Sequence, residues 1–220
     1  LFYTFIHPGN NMINLRASLI ISLLATGLAL LLSIPASYAF SRFEFKGRKS
    51  LQFWYLSLLL TPPVIFLIPY YVIMSALKWI GTYQCIVIIY QTFAIPLSVW
   101  LLKSFVDDVP RELDESAMVD GANRLGALVR VIIPVTAPGI LVTAMFAFVF
   151  CWNNLIFALA LCSAETKPLT VGTFEYFTWT GVTWNYIGAA AFITILPPMM
   201  IFLALRRYIV KGLTFGTVKG

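Results

Sequence analysis

Charge is what this sequence has least of. Of its 220 residues only 11% are charged, one is histidine, His7, and three are cysteines, Cys85, Cys151 and Cys162. So little charge beside a hydrophobic content of 60% excludes a water-soluble enzyme, because one soluble core cannot hide that much apolar surface. Three widely spaced cysteines in apolar surroundings make neither a disulfide framework nor a metal site. They read as core or lipid-facing thiols, with a pairing of Cys85 and Cys162 near the outer face as the alternative. No constellation of nucleophile and base or of metal ligands is present, and His7 receives no catalytic role, so no catalytic residue is assigned. No G-x-x-x-x-G-K-[ST] run exists to cradle nucleotide phosphates: "FKGRKS" lacks the upstream glycine. Leu1 is not followed by a basic segment, a short apolar stretch and a cleavage site, so no signal peptide is read.

What the sequence has is long apolar runs. Five membrane spans are expected near residues 15 to 40, 51 to 77, 83 to 102, 137 to 162 and 186 to 205, which makes the fold an all-α membrane protein. Lys and Arg fall into the successive non-spanning segments as one, four, one, four, one and four. That alternation puts the start outside and the tail in the cytoplasm, and it explains the net charge of +6 without nucleic acid. An outside start without a leader is awkward, and one further span upstream repairs it; a native five-span chain with a translocated start is the alternative. Every span carries proline, and "TPPVIFLIP" puts three in nine residues, enough to unwind the second span locally. Broken helices often line a substrate path.

Six of the nine acids lie between Lys103 and Val131, with four bases. At roughly 2.5 to 3.5 kcal/mol per charge at the centre of a membrane helix, this segment belongs outside the bilayer, and the basic count puts it in the cytoplasm. Pro110 suits a first helical turn, the acids of "PRELDE" suit the positive end of a helix dipole, and Gly121 suits a left-handed stop. A second short helix should follow, with Leu125, Leu128, Val129 and Ile132 as one apolar stripe against the membrane helices. Each piece is too short to be stable alone. Leu113, Ala117 and Met118, with Glu112 and Glu115 on a neighbouring face, suggest docking into a partner's groove; an amphipathic loop on lipid headgroups is the alternative, though the excess of acids speaks against it.

The run Glu115, Ser116, Ala117, three residues, Gly121, nine residues, Val131, Ile132, Ile133, Pro134 resembles the EAA motif of bacterial ABC-importer permeases, E-A-A, three residues, G, nine residues, I-x-L-P. Ser116, Val131 and Ile133 are mild departures. "SYAFSRFEFKGRK", "IPLSVWLLKSF", "WNNLIFALAL" and "GLTFGTVKG" are similar to the carbohydrate-type importers, specifically the smaller, maltose-type permease subunit. The resemblance implies that residues 1 to 220 are a single transmembrane domain, of a type with six helices when intact. Residues 103 to 134 would then be a cytoplasmic loop coupling it to a separate ATPase. The coupling residues would be Glu112, Glu115, Ser116, Ala117, Asp120, Gly121 and Pro134. ATP and Mg would be handled by that ATPase, with no cofactor in this chain. The implied partners are a second permease, two ATPase copies and an extracytoplasmic solute-binding protein. The implied location is a bacterial or archaeal cytoplasmic membrane, and the expected cargo is a sugar or sugar-like solute moved by alternating access. An ion-coupled secondary transporter or channel is the competing class, and it would want ionisable residues inside the spans, which are almost missing.

For the solute itself, Trp152, Asn153 and Asn154 interrupt the fourth span, an aromatic face beside amides such as a sugar would use; Thr61, Tyr90 and Gln91 are further candidates. Amides that merely bridge helices are the alternative. The aromatic stretch from Ser163 to Asn185 would, by resemblance, meet the binding protein, or else form a re-entrant cap on its own chain.

Overall fold

The computed structural model describes residues 11–178, 181–182 and 184–215. His7, and the part of the tail motif after Phe215, lie outside the described residues. Among the described residues the regular structure is helical apart from one antiparallel pair of two-residue strands, β1 (Phe177–Thr178) and β2 (Gly181–Val182).

Among the described residues three helices are long and apolar enough to cross a membrane unaided: α1 (Asn11–Arg42), α4 (Tyr83–Asp107) and the Ile187–Arg206 part of α11 (Trp184–Phe215). Two bent helix pairs, Arg48–Leu60 with Pro63–Ala76 and Arg124–Val135 with Ala137–Asn153, raise the number to five where each pair counts as one span. The second span consists of α2 (Arg48–Leu60), a 3-10 turn (Pro63–Phe66) and α3 (Leu67–Ala76). Its interruption falls at Pro62 and Pro63, which have no N–H to offer the carbonyls of Leu58 and Leu59 four residues before them. The stretch expected as the fourth span holds α8 (Ala137–Asn153) and α9 (Ile156–Leu161), which part at Asn154 and Leu155. Between α4 and α8 come α5 (Arg111–Val119), α6 (Arg124–Ala127), a π-helical turn (Leu128–Ile132) and α7 (Ile133–Val135). The segment α10 (Leu169–Gly172) with a 3-10 turn (Thr173–Tyr176) precedes β1.

The chain divides into two compact units. One gathers the chain up to Thr26 with Thr61–Thr92 and Phe148–Ile201. Its interior holds Ile21 and Ala25 of α1, Ile86, Ile89 and Tyr90 of α4, Trp152 of α8, Phe157 and Leu161 of α9, and Leu169. Ala17 and Ala25, fully buried, show why α1 carries small residues on one side: they let neighbouring backbones approach closely. Cys85, Cys151 and Cys162 all lie in this unit as free thiols, the first two buried, so the alternative pairing of Cys85 with Cys162 is not formed.

The other unit holds Gly27–Leu60, Phe93–Ala147 and the chain from Phe202. Tyr38, Val106, Val109, Leu128 and Ile132 form its core cluster, with Ile34 and Ile133 packed against it. Phe105 of α4 lies directly over Gly139 of α8, where a side-chain carbon would come within 2.3 Å of the ring. At 32 residues, α1 is about 48 Å long against a hydrocarbon core of roughly 30 Å, so it extends past the apolar layer. Its last turn carries Ser41 and Arg42.

Candidate functional site

The charged segment folds as two short helical arms about a glycine elbow. Pro110, with φ −55° and ψ 138°, is the residue that caps α5 rather than its first helical residue, because its ψ is not helical. At the other end of α5, Gly121 has φ +88°, the left-handed conformation that glycine adopts without steric cost, and the N–H groups of Gly121 and Ala122 bond back to Met118 and Ala117. Asn123 then caps the second arm, its side-chain oxygen accepting the Gly126 N–H at 2.7 Å. The cap is legible in the sequence as an Asn two residues after the glycine.

The second arm departs from the expected stripe. Leu128 and Ile132 are buried with Ala127, but Leu125 and Val129 are 68% and 58% exposed. The cause is the π-helical turn at Leu128–Ile132, which takes more residues per turn than an α-helix and so shifts the phase of the apolar positions. The arm then turns by 80° into α8 at Thr136, where Pro138 has no N–H for the Pro134 carbonyl. The Thr136 hydroxyl and amide both bond the Ile132 carbonyl, at 2.7 and 2.8 Å.

The coupling residues singled out from the sequence, on α5 and beyond it, all lie at or near the surface. Glu112, Glu115, Ser116, Asp120, Gly121 and Pro134 are exposed and Ala117 is half-buried. The Ser116 hydroxyl donates to the Leu113 carbonyl at 3.1 Å. Leu113 is itself exposed, so the apolar ridge reduces on its inner side to Ala117 and Met118.

What the sequence reading missed is Asp114. Its place in "PRELDE" suits the positive end of a helix dipole, yet it is 3% exposed and forms an ion pair with Arg42 of α1. The signal was there: Asp114, Ala117 and Met118 stand at i, i+3 and i+4, the inner face of the helix. Arg42 also donates to the Val109 carbonyl at 2.9 Å, Arg111 donates to the Ser41 carbonyl at 3.3 Å, and the Arg124 guanidinium lies 5.0 Å from the centre of the Phe43 ring. Elements too short to be helical in isolation are thus tied to the end of α1 and to Phe43 just after it through Arg42, Arg111 and Arg124.

The candidates for a solute path lie together in the other unit. Tyr90 is buried and its hydroxyl donates to the Asn154 carbonyl at 2.8 Å, which the break in the fourth span has freed. Gln91 is buried, and its amide nitrogen donates to the carbonyls of Val87 and Ala25 at 2.8 and 3.2 Å. Trp152 is 1% exposed, and its indole N–H donates to the Thr194 carbonyl at 3.1 Å. That carbonyl stands four residues before Pro198, so no backbone N–H of its own helix reaches it. Asn153 is exposed, and Asn154 and Thr61 are half-buried. Three of the six therefore spend their donors on backbone carbonyls. Trp152→Phe is expected to lower stability by about 1 kcal/mol, read as a lower melting temperature in detergent. Adding Pro198→Ala, which restores the helix's own N–H, should recover most of it. An unchanged melting temperature with lost uptake would instead assign Trp152 to the solute.

The segment expected outside packs largely on its own chain. Thr166, Leu169, Val171 and Tyr176 are buried, the Leu169 N–H donates to the Ser18 hydroxyl at 2.7 Å, and Asn11 donates to the Tyr176 hydroxyl. Phe174 and Trp184 remain 49% and 73% exposed.

Residues 29–215 match the model of the binding-protein-dependent transport system inner membrane component family. The chain belongs to that family. It is 35% identical over 209 residues to the trehalose/maltose transport system permease protein MalG of Thermococcus litoralis, covering 94% of this chain and 75% of that protein. It is 33% identical over 206 residues to the inner membrane ABC transporter permease protein YcjP of Escherichia coli, covering 93% and 74%. In fold it is similar to a chain of a bacterial ABC transporter involved in the import of the acidic polysaccharide alginate, with a TM-score of 0.78, 19% identity, and coverage of 92% of this chain and 76% of that one. This family member is thus a multi-pass membrane permease working within a binding-protein-dependent ABC transport complex, and its part there is transport rather than catalysis.

Proposed function

We propose that the chain is the permease subunit of a sugar importer, coupled to a cytoplasmic ATPase through the elbow at residues 103 to 134. The observation that carries the reading is the two-sided α5: Asp114 is turned inward to an arginine of the membrane helix, while Glu112 and Glu115 stand exposed. One face is spent on holding the helix, and the other is left for a basic partner surface. Glu112, Glu115, Ser116, Ala117, Asp120 and Gly121 form the docking element, and Pro134 lies where the elbow joins the bend into α8. The single-domain permease pairs with a second permease and two ATPase copies, which bind ATP and Mg, and an extracytoplasmic protein delivers the solute. In this reading the elbow and the carboxy-terminal tail face the cytoplasm. The names of the relatives support an oligosaccharide or glycoside as cargo. Asn153, exposed beside the break in the fourth span, is the side chain best placed to meet it, with Asn154 and Thr61 near the surface of the same unit.

Glu115→Arg tests the docking. The variant should insert normally, retain less ATPase on purification, and lose uptake about ten-fold. Normal uptake with normal retention of the ATPase would refute the reading of the loop. Binding of labelled maltose, trehalose and diacetylchitobiose to the cognate binding protein tests the sugar class.

A further inference from the structure

We propose that Arg42 and Asp114 are the joint through which movement of α5 reaches α1, so that the lever drives a helix far from it in sequence as well as the two it connects. The proposal rests on the reading of the elbow as the ATPase docking element and goes beyond it by naming the helix that receives the motion.

Of the three acids in α5, only Asp114 is buried, and its side chain and that of Arg42 are each 5% exposed. The Arg42 Nε donates to Asp114 Oδ2 while its Nη2 donates to the Val109 carbonyl, so one guanidinium grips both the start of α5 and the residue before its cap. Arg111 returns a bond to the Ser41 carbonyl. The other Asp114 oxygen, Oδ1, is buried with no hydrogen-bond partner, so removing Arg42 would leave a wholly uncompensated buried carboxylate. This differs from the Lys103–Asp107 pair, whose members are 23% and 42% exposed and contribute little. Within its own unit α1 is continuous helix from Gly27 to Arg42, with Pro35 inside it, so a displacement at Arg42 is passed to the Ser33–Arg42 segment of that helix. The elbow's apolar attachments, Leu128 and Ile132 on Tyr38, Val106 and Val109, can slide; a forked charged contact fixes register.

The test uses the intact complex in nanodiscs, with hydrogen exchange followed on Arg111–Val119 and on Ser33–Arg42 in the nucleotide-free and ATP–vanadate states. In the wild type both segments should respond to nucleotide. Asp114→Asn and Arg42→Gln should each speed exchange of Arg111–Val119 about ten-fold in the nucleotide-free state, while the response of Ser33–Arg42 disappears and that of Arg111–Val119 persists. The double variant should show no more than the single-variant effect, because removing both charges leaves neither stranded. An approximately hundred-fold additive effect, or a surviving response of Ser33–Arg42 in the single variants, overturns the joint. If Arg111–Val119 fails to respond in the wild type, the docking reading itself falls, and the joint with it.

Discussion

Gly139→Val is expected to be the most damaging single change to stability, costing about 3 kcal/mol or more. A side-chain carbon at residue 139 would stand 2.3 Å from Phe105 Cγ and within 2.7 Å of both neighbouring ring carbons. Those atoms are the root of the ring, so no rotation of a flexible tip relieves the contact, and α4 and α8 must separate or Phe105 must leave its place. The measurement is folded yield and melting temperature of the purified permease. Gly188→Ala is the control: nothing lies within 4 Å of the added carbon, and the exchange of glycine for alanine inside a helix should be neutral or slightly stabilising. A melting temperature for Gly139→Val equal to that of the wild type would show that the helices do not meet there.

Gly121→Val should act differently, on transport more than on insertion. There is open space around Gly121, so the cost is not a clash; it is the left-handed backbone at φ +88°, which a β-branched residue resists by about 2 to 3 kcal/mol. The strain can be released by opening the elbow, which displaces Glu112 and Glu115 from where Asp114 holds them. Uptake is expected to fall by roughly 30-fold or more with normal amounts of permease in the membrane. Gly121→Asn, which tolerates the left-handed region, should retain most activity. Equal uptake by the valine and asparagine variants would mean that the backbone of the elbow does not limit coupling.

The spans and the elbow were legible because each rests on a one-dimensional signal: apolar runs of bilayer length, and a glycine between two short helical patterns. The prolines of "TPPVIFLIP" announced the interruption of the second span for the same reason. The break at Asn154 was legible only as a pair of amides inside an apolar stretch. The exposure of Leu125 and Val129 could not be read, since it depends on a π-helical turn that periodicity presumes absent. Asp114 is the instructive case. Its position on the inner face was in the spacing, but its partner Arg42 lies 72 residues away, and only the fold brings them together. The same holds for Trp152, whose aromatic character suggested a sugar while its N–H serves the Thr194 carbonyl.

That last bond has a consequence for biosynthesis. The Thr194 carbonyl has been stripped of its own amide by Pro198, and in lipid no water waits to replace it. Its donor, Trp152, is made 42 residues earlier, so a nascent chain threaded from its amino end delivers the indole first and the needy carbonyl second. The final span therefore enters a bilayer in which its chaperone is already a resident of the same polypeptide.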